Sequence, residues 1–317
     1  MLAKLAKKKG VESYVVTALP VGDRLYVGFN VVDGDEDFVG SAAISVDLAT
    51  LSATLVYEST ETMIDYVVDP DGWQCMLMHG RVVEVEPGSK PVETTKKVPD
   101  GLYRMSSLRD RRVAICGDSG KVVLYAKRKF APLKVDTGAE DPAYAEDLVS
   151  VHFAAPNRSY AVGSYGVFLK GDAKQLAPAW SKKNPFAVKT GRVRVLSVYE
   201  TKSGAVLLGS DEGPALVFDK GKFTKLAGLP KEASVYAMVE HGGKEYWSTT
   251  DNLLFVRTGT KLKKQRGLAG GYRMESNGKV MASSCGSFVY LHDGAAWTRL
   301  RINPNPKKLV ERLKLDF

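Results

Sequence analysis

The sequence predicts a single all-β domain, a β-propeller of seven four-stranded antiparallel blades with short helical segments at its termini. Three observations carry this. A strand–turn–strand unit recurs along the 317 residues at a spacing near forty, which is the length a four-stranded blade requires. The runs between turns are rich in Val, Leu, Tyr and Phe and are punctuated by Gly-Asp, Asp-Gly and Asn-Gly pairs, the composition of strands and tight hairpins. No long stretch carries a helical apolar period.

The repeat is clearest in the fifth copy. Val195–Tyr199 leads through a Lys202, Ser203, Gly204 turn to Ala205–Ser210, Gly213 turns the chain into Ala215–Asp219, and Phe223–Leu226 closes the unit. The seventh copy runs from Tyr272–Met274 through Asn277 and Gly278 to Lys279–Ser284, then past Gly286 to Phe288–Leu291 and Trp297–Leu300. Aligning the turn between second and third strands gives Gly40, Gly80, Gly120, Gly166, Gly213, Asn252 and Gly286, with steps of 40, 40, 46, 47, 39 and 34 residues. Glycine suits these positions because tight turns between twisted strands call for positive φ. The blades are expected at about 14–59, 60–99, 100–140, 141–191, 192–232, 233–270 and 271–304. Each copy holds all four of its own strands, so the ring is expected to close by packing alone. Leu309, Val310, Leu313 and Phe317 share one face of a 3.6-residue period after Pro306, predicting a C-terminal helical tail over 305–317. Leu2 and Leu5 do the same near the start.

The unit Leu291–Leu300, with Asp293, Gly294 and Trp297, and weaker echoes at Phe218–Leu226 and Leu124–Leu133, resembles the Asp-box hairpins of sialidase-like and photosystem-assembly-factor-like propellers. In those families the motif is a folding device on the outer hairpin. The resemblance therefore implies fold and no activity. The arginine triad, tyrosine and carboxylates of sialidases have no counterpart here that can be matched residue by residue.

Charge is unevenly distributed. Residues 1–150 hold 18 Lys and Arg against 23 Asp and Glu, and residues 151–317 hold 27 against 13, so a net of −5 faces a net of +14 within the overall +9. In a closed ring the two halves of the chain form opposite sides of the disc, which makes the molecule electrically bipolar. No run approaches the roughly 18 apolar residues of a membrane span. The basic start of the chain lacks the apolar core of a secretory signal. Three scattered cysteines, Cys75, Cys116 and Cys285, read as buried free thiols rather than a disulfide framework. Together these predict a cytoplasmic, monomeric protein.

Catalytic chemistry is sparse. The four histidines, His79, His152, His241 and His292, fall in no zinc-binding spacing, and His241 and His292 are expected to be solvated at turns. No nucleophile elbow or phosphate-cradling loop is present. The acidic run Asp33–Asp37 lacks the alternation and closing glutamate of a calcium loop. No catalytic residue, metal ligand or cofactor is therefore assigned. The candidate binding residues fall in two groups. One is the innermost strand of each blade, which lines the channel: counting back from each blade's first turn gives Asp65, Arg104, Ser150, Ser197, Tyr236 and Arg273. The tripeptides Tyr103-Arg104-Met105 and Tyr272-Arg273-Met274 are identical, and their arginines are placed to hold a carboxylate or phosphate. The other group is the long connections around the fourth blade, acidic over 136–147 and basic and aromatic over 178–189, with Trp180, Lys182, Lys183 and Phe186 as partner anchors. The leading expectation is a non-catalytic, protein-binding propeller of the bacterial cytosol, an inhibitor or immunity protein for a toxin. A nucleic-acid-binding propeller using the basic half and a propeller-type lyase or hydrolase are the alternatives.

Overall fold

The computed structural model describes residues 1–5, 10–35, 37–94, 97–138, 147–179, 186–188 and 191–315. Seven blade sheets, antiparallel but for one added strand in blade 4 and each formed from one continuous stretch of chain, are arranged with their first strands innermost, and a two-stranded hairpin of Ala187–Val188 and Gly191–Arg192 lies apart from them. These inner strands are Glu12–Val21, Met63–Val68, Leu102–Ser107, Leu148–Ala155, Val195–Glu200, Val235–His241 and Arg273–Ser276, in blades 1 to 7. Each touches the inner strand of the next blade, and the seventh touches the first, so the ring is closed.

Strand alternation explains where the core sits. Both faces of a blade pack on neighbouring blades, so the apolar side chains gather in seven separate clusters, one in each gap. The seam is one of these gaps. There Val15, Val27, Phe29 and Ile44 of blade 1 meet Ala282, Val289, Leu291 and Leu300 of blade 7, with Leu2 and Leu5 of the short N-terminal helix buried beside them. Val15 N–H donates to Gly286 O at 2.8 Å, and Ser287 Oγ donates to Ser13 O at 2.7 Å. Among the described residues no strand is exchanged between the termini to close the ring, as the self-contained repeats predicted.

The C-terminal tail departs from expectation. Val310–Leu313 is a strand, not a helix, and pairs antiparallel with Trp297–Ile302 as a fifth, outermost strand of blade 7. The helical period in this stretch rests on few residues, and the open edge of blade 7 offers a complete set of backbone partners that outweighs so short a pattern. Blade 4 also gains a fifth strand, because Lys134–Val135 pairs parallel with its outer strand Gln175–Pro178.

The turn glycines fall where expected in most blades. Gly80, Gly120, Gly166 and Gly286 have positive φ between second and third strands, and Asn252 takes the same conformation in blade 6. Blade 1 differs: Gly40 lies within the third strand, Phe38–Asp47, and the turn precedes it. In blade 5 the left-handed residue is Glu212, the neighbour of Gly213.

Candidate functional site

A recurring irregularity shapes the channel wall. In blades 1 to 6 the inner strand skips one residue in its pairing with the second strand, at Val16, Ile64, Tyr103, Val149, Leu196 and Tyr236. In blade 7, Tyr272 N–H donates to Ser284 O at 3.2 Å while Arg273 is the register partner of Ser284, so Tyr272 stands at the equivalent place. Such a bulge re-aims side chains and raises local twist. The first residues after it form one row around the ring: Thr17, Asp65, Arg104, Ser150, Ser197, Ala237 and Arg273. Tyr236 was expected in this row. It instead occupies the bulge one residue before Ala237, because blade 6 has one residue fewer between this row and its first turn at Gly242, and it still lines the channel cavity.

Three tyrosines, Tyr103, Tyr236 and Tyr272, thus sit at equivalent bulge positions at the start of their inner strands. Tyr236 and Tyr272 are in ring contact at 5.0 Å between centroids, and Tyr272 is 47% exposed. The exposed Arg194, just before the inner strand of blade 5, acts electrostatically on both Tyr103 and Tyr236. Burial, as the first cause, raises the hydroxyls of both above the ordinary tyrosine value. The mouth of the channel at this end is therefore aromatic and partly desolvated, with a cation at its rim.

Deeper in, Asp65 and Arg273 form a bidentate ion pair. Arg273 Nη2 donates to Asp65 Oδ2 at 2.8 Å and Nη1 donates to Oδ1, while the same guanidinium reaches Tyr66 O at 3.3 Å and Met105 O at 3.2 Å. Asp65 is wholly buried. It also accepts the backbone N–H groups of Tyr66 at 2.8 Å and Met105 at 2.7 Å. The expected pair of anion-binding arginines is thus divided: Arg273 is taken up by Asp65, and the Arg104 side chain makes no hydrogen bond or ion pair among the described residues. Burial and the nearby Arg273 charge lower the Arg104 guanidinium from its ordinary value.

Arg104 fronts a cavity of about 720 Å³ in the channel. His152 and Tyr199 line it with their rings 5.2 Å apart. Burial depresses His152 to about 4 and pushes Tyr199 up to about 12, so both are neutral near pH 7. Glu275, also lining the cavity, is raised by burial, an effect that Arg273 opposes.

The connection around 178–189 reads differently from expectation. Phe186 is fully buried in the cluster between blades 4 and 5, with Phe168, Val195 and Leu208, so it is a core residue and not a partner anchor. Aromatic type alone does not separate these roles. Trp180, Lys182 and Lys183 lie outside the described residues, as does 139–146 of the acidic connection. At the end of that connection, Asp147 Oδ1 accepts Ser119 N–H at 2.9 Å.

Other sequence expectations are resolved by packing. All three cysteines are free; Cys75 and Cys116 are buried and Cys285 is half-buried. His241 is buried, not solvated: its Nδ1 lies 2.9 Å from Ser276 Oγ, and its ring meets His292, which in turn meets Trp297 at 4.7 Å. Among the described residues no group of three His, Cys, Asp or Glu could hold a metal ion. No helix among them is long and apolar enough to cross a membrane.

No known family profile matches the chain, and no curated protein is similar to it in sequence. Solved structures are similar in fold. The extracellular domain of BT4673 from B. thetaiotaomicron, described as a hybrid two component system, superposes with a TM-score of 0.66 at 12% identity, covering 92% of this chain and 44% of that one. The chain thus spans less than half the length of that structure. The WD40 β-propeller domain of Doa1 gives a TM-score of 0.59 at 13% identity, covering 92% and 93% of the two chains. The structure of U3-55K gives 0.61 at 8%, covering 88% and 92%. The chain is a seven-bladed β-propeller. At these identities the likeness is one of fold alone, and propellers are scaffolds for unrelated functions.

Proposed function

We propose that this chain is a non-catalytic, protein-binding propeller whose partner docks on the end of the channel where the inner strands begin. The observation that carries this reading is the convergence of Tyr103, Tyr236 and Tyr272 with Arg194 on one mouth. Tyrosine and arginine are the residue types that concentrate binding energy at protein interfaces, because they offer large, stiff surface with a polar tip. The chain topology adds a second support. The connections over 136–147 and 178–189 both run from an outer strand to the start of the next inner strand. They therefore join the ring at the end that carries the tyrosines, and this reading keeps Trp180, Lys182 and Lys183 as partner-binding residues.

The narrower reading is a monomeric inhibitor of the bacterial cytosol, of the immunity-protein kind. It is supported by the poverty of catalytic residues, the buried free thiols Cys75 and Cys116, and the two-signed charge, which suits fast, steered association with a charged partner. The basic half also suits nucleic acid through counterion release, and the experiment separates the two. The tagged chain is purified from the cells that make it, beside a Tyr236→Ala/Tyr272→Ala variant matched for melting temperature. The expected result is a stoichiometric protein with the wild type, weakened about thirtyfold in the variant, as removal of an anchor worth about 2 kcal/mol implies. Recovery of nucleic acid in its place, or equal recovery of the protein with both chains, overturns the reading.

A further inference from the structure

The channel interior carries an unmet electrostatic demand. Arg104 stands in the row after the bulge, lines the cavity, and its side chain has no hydrogen bond or ion pair among the described residues. Asp65 and Glu275 act on it only at a distance, and a half-buried cation with no directly bonded anion is costly, which proteins resolve by pairing it. Asp65, the nearby carboxylate, cannot serve: both its oxygens are already filled by Arg273 and by the N–H groups of Tyr66 and Met105. Glu275 lines the same cavity and forms no ion pair with Arg104 within 4 Å.

We propose that the channel binds a small organic monocarboxylate with a flat apolar body, its carboxylate held in the fork of Arg104 and its body against the His152 and Tyr199 rings. A guanidinium presents two parallel donors that match a carboxylate. The cavity, at about 720 Å³, is in the range of small-molecule sites. The neutral rings of His152 and Tyr199, 5.2 Å apart, offer an aromatic wall without a competing charge. Charge favours a monoanion. Asp65 and Arg273 neutralise each other, so Arg104 supplies the one unpaired positive charge, and the Glu275 carboxyl in the same wall, raised by burial, disfavours a second negative charge there. A phosphate dianion is disfavoured on the same count. This inference needs no protein partner and stands or falls separately from the docking face.

The test is titration calorimetry with benzoate, its neutral isostere benzamide, and inorganic phosphate, on wild type, Arg104→Gln and Ser150→Leu. Ser150 lines the channel in the same row, so leucine there fills the space in front of Arg104. Benzoate is expected to bind wild type at least about tenfold tighter than benzamide, as a hydrogen-bonded charge pair implies, and phosphate is expected not to bind. Arg104→Gln should remove the preference for benzoate while leaving benzamide unchanged, and Ser150→Leu should abolish both. Equal affinity for benzoate and benzamide, no binding of benzoate in the millimolar range, or preferential binding of phosphate overturns the proposal. So does unchanged benzoate affinity in either variant. If Arg104→Gln fails to fold by its melting curve, the isostere contrast in wild type together with Ser150→Leu decides.

Discussion

Arg273, in the last blade, clasps Asp65, in the second, and in doing so reaches past the entire first blade. The same guanidinium touches the carbonyl of Met105 in blade 3. One side chain therefore ties blade 7 to blades 2 and 3 across the channel, beside the seam between blades 7 and 1. This gives the ring a polar closure in addition to the apolar cluster between blades 7 and 1.

The first prediction concerns that clasp. Asp65→Ala leaves Arg273 without its counter-charge and strips the acceptors from two buried N–H groups. Breaking a buried pair in this way typically costs about 3 to 5 kcal/mol. Asp65→Leu combined with Arg273→Met should cost clearly less than the two single changes added together, because the stranded charge is absent. Urea unfolding of wild type, Asp65→Ala, the two single changes Asp65→Leu and Arg273→Met, and their combination measures both effects. A loss below about 1 kcal/mol for Asp65→Ala would show that the clasp does not hold the ring.

A second prediction separates core from surface in the 178–189 connection. Phe186 fills the gap between blades 4 and 5 with no exposure. Phe186→Ala should therefore destabilise the fold by about 3 to 5 kcal/mol through lost burial and a residual cavity. Its signature is a lowered denaturation midpoint. A fully stable variant would contradict the packing described for this gap.

How far the sequence speaks is clear from these two positions. The blade count, the inner strands and the channel row of Asp65, Arg104 and Arg273 follow from the repeat and from period-two alternation, which are local regularities. Tyr236 was displaced by one because blade 6 has one residue fewer between this row and its first turn, and composition does not show that difference. The tail at Val310–Leu313 became a strand because the edge of blade 7 decides it, and an edge is visible only once the sheet exists. The pairing of Arg273 with Asp65 spans 208 positions. Two identical Tyr-Arg-Met tripeptides give no hint that one arginine is occupied and the other not.

Backbone proximity yields a third prediction. Gly117 and Gly163 end the second strands of blades 3 and 4, where the inner strand enters. A Cβ at Gly163 would lie 1.8 Å from Asp147 O, and one at Gly117 would lie 1.7 Å from Gly101 O. Both glycines have extended backbones, so the requirement is for space, not for positive φ. Gly163→Ala should cost at least about 2 kcal/mol, as other strain and overpacking changes do. By contrast Gly34→Ala, with nothing nearer than 3.7 Å, should be nearly neutral. Equal melting temperatures for the two variants would contradict the close approach.

The last prediction is a pH dependence carried by His152. Burial lowers this imidazole from 6.5 to about 4, so the native state keeps it neutral over a range where the unfolded chain takes up a proton. Between those values the unfolded state binds more protons, and stability must fall as pH falls. The contribution of His152 is complete above pH 6.5, declines through the window, and is lost below about 4. Between pH 7 and 4.5 it amounts to about 2 to 3 kcal/mol. Glu275, raised by burial, works in the opposite direction, and His241 and His292, lowered chiefly by burial, work in the same one. All three are common to wild type and a His152→Asn variant, so they cancel when the two are compared. Urea unfolding at both pH values should show the variant losing about 2 to 3 kcal/mol less than wild type on acidification. If the two proteins lose the same amount, His152 is protonated as readily in the fold as out of it, and the channel wall is wetter than its packing indicates.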